Sequence, residues 1–248
     1  MPSGIRILIA SPMGRVIAPT LSARVPDSTV AVATDPQSVV EAIVDTVRFD
    51  VVVTDLLWTN AQFGGLDVID SLTRLGRMAP VLLAVQGHSG ERDHLAEALL
   101  RHEVAGVYDK TAGIEPLVTA VHDVARGVRS QSGSPYTAER ALYELFQGKR
   151  GTTAGRMAGA IAAGRATDAA SLAEAVGVQL NTANKVANYY LGPIIRERAE
   201  YDPRLPMTLS AVYRWCGLHA NYLVSWCRRN GHGDVLQATV PLSVKTPS

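Results

Sequence analysis

Cysteine, aromatic residues and long apolar runs are all scarce in this chain of 248 residues. The two cysteines, Cys216 and Cys227, are too few for a disulfide framework and cannot form a zinc site on their own. No apolar run reaches the roughly 18 residues needed to cross a bilayer, and the start MPSGIRILIA is too short for a secretory signal. We therefore expect a cytoplasmic protein that does not enter a membrane.

The residue patterns of common enzyme classes are missing as well. The six histidines are scattered, without an i,i+4 pair or a carboxylate partner at ligand spacing, so no metal site is predicted. The sequence has no glycine-rich phosphate loop, no nucleophile elbow and no pair of catalytic carboxylates. These absences predict that the chain is not an enzyme.

The charge is divided unevenly between two halves of the chain. Residues 1–130 contain 11 basic and 15 acidic residues, whereas residues 131–248 contain 13 basic and 8 acidic residues. Such a division favours a control module joined to a part that meets an anion. The stretch from Arg129 to Pro135 is polar and turn-prone. We therefore predict domains at 1–130 and 137–248, with a linker at 131–136.

The first half alternates apolar, β-branched runs with amphipathic segments. Strands are predicted at 5–10, 28–33, 49–55, 79–85 and 105–110, and helices at about 36–47, 65–75, 91–102 and 114–127. Five strands that alternate with helices predict an α/β fold with a doubly wound parallel sheet. Function is expected at the carboxyl ends of such strands. Those ends contain Ser11, Asp55, Val85 and Lys110.

This arrangement resembles the receiver domain of two-component response regulators over residues 4–128. The resemblance implies that Asp55, after VVVT, matches the phosphoacceptor and that Lys110, after GVYD, matches the phosphate-contacting lysine. Ser11 and Pro12 replace the acidic pair that would hold Mg²⁺, and Val85 replaces a switch hydroxyl. We therefore expect no magnesium cofactor. Asp55 is then either a leftover carboxylate that caps a strand end or a regulated phosphorylation site.

A receiver that lacks these groups has two other possible roles. Ser11, Trp58, Gln86 and His88 form a candidate pocket for a small-molecule effector, in which Trp58 would stack on the ligand. Under this hypothesis the first half is a ligand sensor. Under the other, it serves only to dimerise the protein.

The second half is predicted to be all helical, with helices at about 137–147 and 154–163. A more informative stretch follows at about 168–191. Thr167 and Asp168 are good N-caps, Gly177 ends one helix and Gln179 opens the next. Two helices joined by a short turn that contains glycine predict a helix-turn-helix.

The outward face of the second helix, Gln179 to Leu191, consists of amide, hydroxyl and ammonium groups. These groups read base edges and phosphates in DNA. The pattern L-A-x-x-x-G-V-x-x-x-T resembles LuxR/NarL effector domains over residues 152–200, which implies that this helix is the recognition helix. The candidate DNA-binding residues are Gln179, Asn181, Thr182, Asn184, Lys185 and Asn188.

The C-terminal extension, 207–248, has no counterpart in that family. When shifted by 40 residues it echoes the first motif, with Gly217 on Gly177 and Asn221 on Asn181. One interpretation is a second helix-turn-helix that contacts phosphates. The other is that its aromatic residues belong to a core or a dimer interface, and these are Tyr213, Trp215, Tyr222 and Trp226.

Together these features predict a dimeric, DNA-binding transcriptional regulator, an atypical response regulator that works without magnesium-dependent phosphorylation. Its DNA site should be two-fold symmetric, with half-sites about one helical turn apart. Two alternatives stay open. One is a phosphorylation-independent adaptor that binds protein or RNA, and the other is a conventional phospho-switch at Asp55.

Overall fold

The chain consists of two compact units, Met1–Ala138 and Glu139–Ser248. A computed structural model describes residues 4–45, 48–59, 62–130 and 140–237. The predicted linker at 131–136 and the chain after 237 lie outside these residues, so the predicted domain boundaries stay predictions. No helix in the described ranges has the length and apolar character needed to cross a membrane.

The first unit is a five-stranded, all-parallel sheet in the order β2-β1-β3-β4-β5. Its strands are β1 (Arg6–Ala10), β2 (Thr29–Ala33), β3 (Val51–Asp55), β4 (Val81–Val85) and β5 (Val104–Asp109). Its helices are α1 (Gly14–Arg24), α2 (Pro36–Asp45), α3 (Gly65–Arg74), α4 (Arg92–Ala98) and α5 (Ile114–Ala125). The predicted doubly wound fold is confirmed.

Helices cover both faces of this sheet, which explains why the central strands are apolar throughout. Every residue of β3 and β4 is buried. Alternate residues of a strand enter different clusters: Val53 packs with Ile9 and Tyr108 on one face, whereas Val52 packs with Val107 on the other. The polar end of β3, Asp55, is therefore held by a rigid apolar scaffold.

The second unit consists of short helices around one core. The helices are α6 (Leu142–Leu145), α7 (Gly148–Ala162), α8 (Ala169–Val176), α9 (Leu180–Ala183), α10 (Leu191–Glu197), α11 (Leu209–Leu218) and α12 (Ala220–Arg229). The prediction of a helix at 137–147 was wrong in extent. In the described part of that range only the four residues of α6 are helical, and α7 already begins at Gly148, whose positive φ of 71° separates the two helices.

One face of α7 is a glycine face, formed by Gly151, Gly155 and Gly159 at four-residue spacing. A Cβ at Gly155 would lie 2.6 Å from the ring of Trp226, and one at Gly159 would collide with the Cys227 sulfur. The glycine face therefore lets α12 pack directly against α7.

The C-terminal extension supplies much of this core. Trp215, Tyr222 and Trp226 are almost fully buried in this core. This agrees with the interpretation that they are packing residues. Cys216 and Cys227 are buried as free thiols. Burial raises the pKa of Cys227 to about 12, so that thiol stays protonated. The other interpretation, a second helix-turn-helix, is not supported at Gly217, because this glycine lies inside α11 and does not form the turn.

The carboxylate of Glu200, in the chain after α10, is bonded by residues of α11 and of the start of α12. Glu200 accepts hydrogen bonds from Trp215 Nε1 at 2.6 Å and from Arg198 Nη2 at 2.8 Å, and His219 Nε2 lies 3.3 Å away. Burial alone would raise the pKa of Glu200. The bonds from His219, Arg198 and Trp215 outweigh it and hold that pKa far below its usual range.

Candidate functional sites

The first candidate site lies at the carboxyl end of the sheet, around Asp55. The register pairs Ala10 with Thr54, so Ser11 and Asp55 leave β1 and β3 side by side. The Ser11 hydroxyl donates to Asp55 Oδ2 at 2.7 Å, and Lys110 Nζ donates to Asp55 Oδ1 at 3.2 Å. Both oxygens of the Asp55 carboxylate therefore have a partner. Such bonds are needed here, because Asp55 is only 7% exposed.

Ser11 is itself fixed by its neighbours. Its hydroxyl oxygen accepts a hydrogen bond from the Met13 backbone N–H at 3.1 Å, and the side chain is buried. The Ser11 hydroxyl is therefore oriented so that it donates to Asp55. Sequence analysis predicted that these residues share a pocket, but it did not predict the direct bond.

These residues do not fit a magnesium ion. Mg²⁺ needs several oxygen ligands in octahedral geometry. Ser11 and Pro12 contribute no carboxylate, and the Lys110 ammonium already occupies one face of the Asp55 carboxylate. Among the described residues no cluster of three or more His, Cys, Asp or Glu side chains could hold a metal ion.

Val85 contributes no polar group to this pocket. It is buried in the same apolar cluster as Leu83 and Val107. Tyr108 belongs to the cluster on the opposite face, and its hydroxyl donates to the Gly113 carbonyl oxygen at 2.6 Å. The aromatic ring of Tyr108 is therefore held beside β5, on the face of the sheet opposite Val85.

The predicted small-molecule pocket is wrong in one residue. Trp58 is buried and packs edge-on against Phe63, with 5.0 Å between ring centroids, so its faces are not open to a ligand. Gln86 and His88 are exposed and bonded to each other at 2.9 Å. The loop that contains them is fixed by the buried carboxylate of Glu91, which accepts from both of their backbone N–H groups.

The second candidate site follows Gly177 in the second unit. Asp168 caps α8 by accepting from the Ser171 backbone N–H at 2.8 Å, and Gly177 ends that helix with φ of 70°. Ala183, Val186 and Ala187 then face the core. On the other side lies the polar row, a set of exposed side chains comprising Gln179, Asn181, Asn184, Lys185 and Asn188. Thr182, the sixth candidate, is half-buried.

The polar row belongs to an interrupted helix. The range from Gln179 to Leu191, predicted as one helix, is helical but irregular, because α9 ends at Ala183 and a π-turn occupies Val186–Tyr190. In this π-turn the Leu191 N–H bonds to the Val186 carbonyl, five residues back. Helical structure then continues as α10.

Two residues beside the polar row were not predicted. Tyr189 is 56% exposed, and Lys185 Nζ lies 6.0 Å from the centroid of its ring. Arg150, on α7, donates from its guanidinium to the Tyr189 carbonyl oxygen. A proline four residues after Tyr189, Pro193, is the feature of the sequence that marks this break in the helix.

Comparison with solved structures shows a shared fold. The DNA-bound response regulator RcsB of Salmonella enterica serovar Typhimurium superposes with a TM-score of 0.53 at 14% identity, covering 90% of this chain and 99% of that one. An RcsB–DNA complex gives 0.49 at 14% identity, with 86% and 97% covered. A Francisella receiver domain gives 0.40 at 17% identity, with 50% and 98% covered. No family model and no curated protein matches the chain.

Proposed function

We propose that this protein is a DNA-binding transcriptional regulator whose polar row enters the major groove. The exposure of that row is the observation that supports the proposal most strongly. The amides of Gln179, Asn181, Asn184 and Asn188 make no hydrogen bond to any residue that the structure describes. Amides at helical spacing bond adenine edges, and Lys185 bonds guanine or phosphate.

Charge in the second unit favours a nucleic acid over a protein partner. Residues 179–195 contain no acidic residue, and the half from 131 onward has 13 basic residues against 8 acidic ones. A phosphate backbone would therefore meet no repulsion along the polar row. The shared fold supports the same choice, since RcsB was solved bound to a promoter.

The receiver-like unit, in this proposal, is regulated without magnesium-dependent phosphorylation. The Ser11 hydroxyl and the Lys110 ammonium bond both oxygens of Asp55. A phosphodonor would have to displace Ser11 and approach the carboxylate without the cation that normally screens the charge. Under this proposal Asp55 is a structural carboxylate, and the unit acts through contacts with another copy of the chain.

The polar row of one copy of the chain would cover only half of an ordinary operator. Two copies would place two polar rows in successive major grooves, about 34 Å apart along the duplex. The proposed regulator is therefore a dimer on a two-fold site. A small-molecule effector that stacks on Trp58 has no support, because that side chain is buried.

The test is selection of a binding site from random duplex DNA, followed by gel-shift measurement. The double variant Asn184→Ala, Lys185→Ala should bind the selected site about 100-fold more weakly, since two base or phosphate contacts are lost. Asn221→Ala, an exposed amide on α12, is the matched control and should bind normally. Failure to select any DNA, with capture of RNA or protein instead, would identify an adaptor.

A further inference from the structure

Pro193 leaves a carbonyl without its helical partner beside the polar row. In an unbroken helix the Tyr189 carbonyl would accept from the N–H four residues later. That residue is Pro193, which has no N–H. The π-turn over Val186–Tyr190 lies directly before this gap. Some other donor must therefore satisfy the Tyr189 carbonyl or leave it to water.

Arg150 of α7 supplies the missing donor from a distant part of the chain. Its Nε donates to the Tyr189 carbonyl oxygen at 2.7 Å, and Nη2 bonds the same oxygen. The guanidinium carbon also lies 6.0 Å from the centroid of the Tyr190 ring. An arginine fork suits this position, because it donates two bonds while its planar face rests on an aromatic ring.

The same π-turn positions two members of the polar row. Lys185 directly precedes the π-turn. The Lys185 carbonyl oxygen accepts hydrogen bonds from the Asn188 and Tyr189 N–H groups at 3.2 and 2.9 Å. The Tyr189 ring lies under the Lys185 ammonium. A shift of the Tyr189 carbonyl would therefore move Lys185, Asn188 and Tyr189 together.

We propose that Arg150 is a positioning residue for DNA recognition, which sets the orientation of Lys185 and Asn188 through the Tyr189 carbonyl. This inference rests on the proposed function. In this role Arg150 acts through the protein backbone and does not itself contact a DNA phosphate. The role exists only because Pro193 removes the ordinary donor, so restoring that donor should make Arg150 dispensable.

The experiment is a double-mutant cycle on the full chain with Arg150→Ala, Pro193→Ala and both changes together. Each variant is measured for affinity to the selected DNA, for the salt dependence of that affinity, and for amide hydrogen exchange without DNA. Lys149→Ala removes a neighbouring exposed charge and serves as the control for electrostatics. All affinities are measured where melting curves show every variant to be folded.

The proposal predicts that Arg150→Ala weakens binding about tenfold and speeds exchange within Val186–Leu191, with the salt slope unchanged. Adding Pro193→Ala should restore both affinity and exchange protection. If Arg150→Ala instead lowers the salt slope by about one and Pro193→Ala gives no rescue, Arg150 is a phosphate contact and the proposal is wrong.

Two further results would also overturn the proposal. One is unchanged affinity and unchanged exchange in Arg150→Ala. The other is rescued exchange without rescued affinity, which would make the Arg150 bond a purely local feature. If the unmodified protein selects no DNA, the proposed function fails first, while the exchange data still show whether Arg150 and Pro193 are coupled.

Discussion

The pocket around Asp55 and the polar row after Gly177 differ in the hydrogen bonding of their polar groups. In the pocket every oxygen of a buried carboxylate is bonded from within the same unit. In the polar row, four amides and an ammonium face outward without a hydrogen-bond partner in the described chain. The groups that are free to bond a partner therefore lie in the polar row and not in the pocket.

This difference indicates where a partner can bind. Buried polar groups with all bonds made are costly to disturb, and they stabilise a single arrangement. Exposed amides bonded only to water can exchange that water for base edges at little cost. The molecule therefore combines a site that is closed to new ligands with one that is open to them.

The largest effect on stability should come from removing a partner inside the pocket. Lys110→Met would leave the Asp55 carboxylate without its cation, at a cost of about 2 kcal/mol. This is less than for a fully buried pair, because the Lys110 side chain is 22% exposed. Urea unfolding measures the loss. Lys185→Met is the matched control, and equal urea midpoints for the two variants would contradict the comparison.

Magnesium should distinguish the natural pocket from one with its acidic pair restored. The double variant Ser11→Asp, Pro12→Asp is expected to gain about 1 kcal/mol of stability when magnesium is present at several times its dissociation constant. The unmodified protein should show no such gain in thermal melting. Nor should acetyl phosphate with magnesium add a phosphoryl mass at its Asp55. A phosphorylated Asp55 in the unmodified chain would restore the phospho-switch hypothesis.

A smaller effect, confined to acid, is expected at Glu200. The folded pKa of this carboxyl lies well below its usual value of 4.5, so its contribution is fully present above pH 4.5 and is lost as the pH falls further. Glu200→Gln removes that contribution. The melting temperatures of the two proteins should therefore differ at pH 7 and converge below about pH 4.5. A constant difference down to pH 3 would show that Glu200 does not titrate as argued.

The smallest effect on stability is expected in the polar row itself. Replacing Gln179, Asn181 and Asn188 by alanine should change the free energy of unfolding by no more than about 0.5 kcal/mol per residue. DNA affinity should fall in the same variant. If the triple variant instead unfolds readily, the amides are structural and the comparison between the two sites does not hold.

Much of the first unit follows from local sequence. Strands such as Val51–Asp55 are unbroken apolar runs, and their ends place Ser11, Asp55 and Lys110 at one edge of the sheet. The helix α1 was not placed, since Pro19 lies inside it and its apolar periodicity is weak. The burial of Trp58 depends on Phe63 and the fold of a loop, which no local pattern specifies.

The second unit was harder to predict because its irregular features depend on distant residues. The turn at Gly177 was identified from an N-cap and a glycine at helix spacing. The interruption of the next helix involves Pro193 and a donor on α7, Arg150, which lies 39 residues before Tyr189. The position of α12 depends on glycines of α7, whose spacing is visible in the sequence but whose partner is not.

The glycine face of α7 sets a lower limit on the size of a fragment of the second unit that can fold on its own. A piece ending near residue 200 would remove Trp226 from Gly155 and from the Phe146 ring, whose centroid is 4.9 Å away. The glycine backbone of α7 that now packs against α12 would then face water. Truncated or fused versions that are meant to keep the polar row intact should therefore retain the chain at least through Leu236.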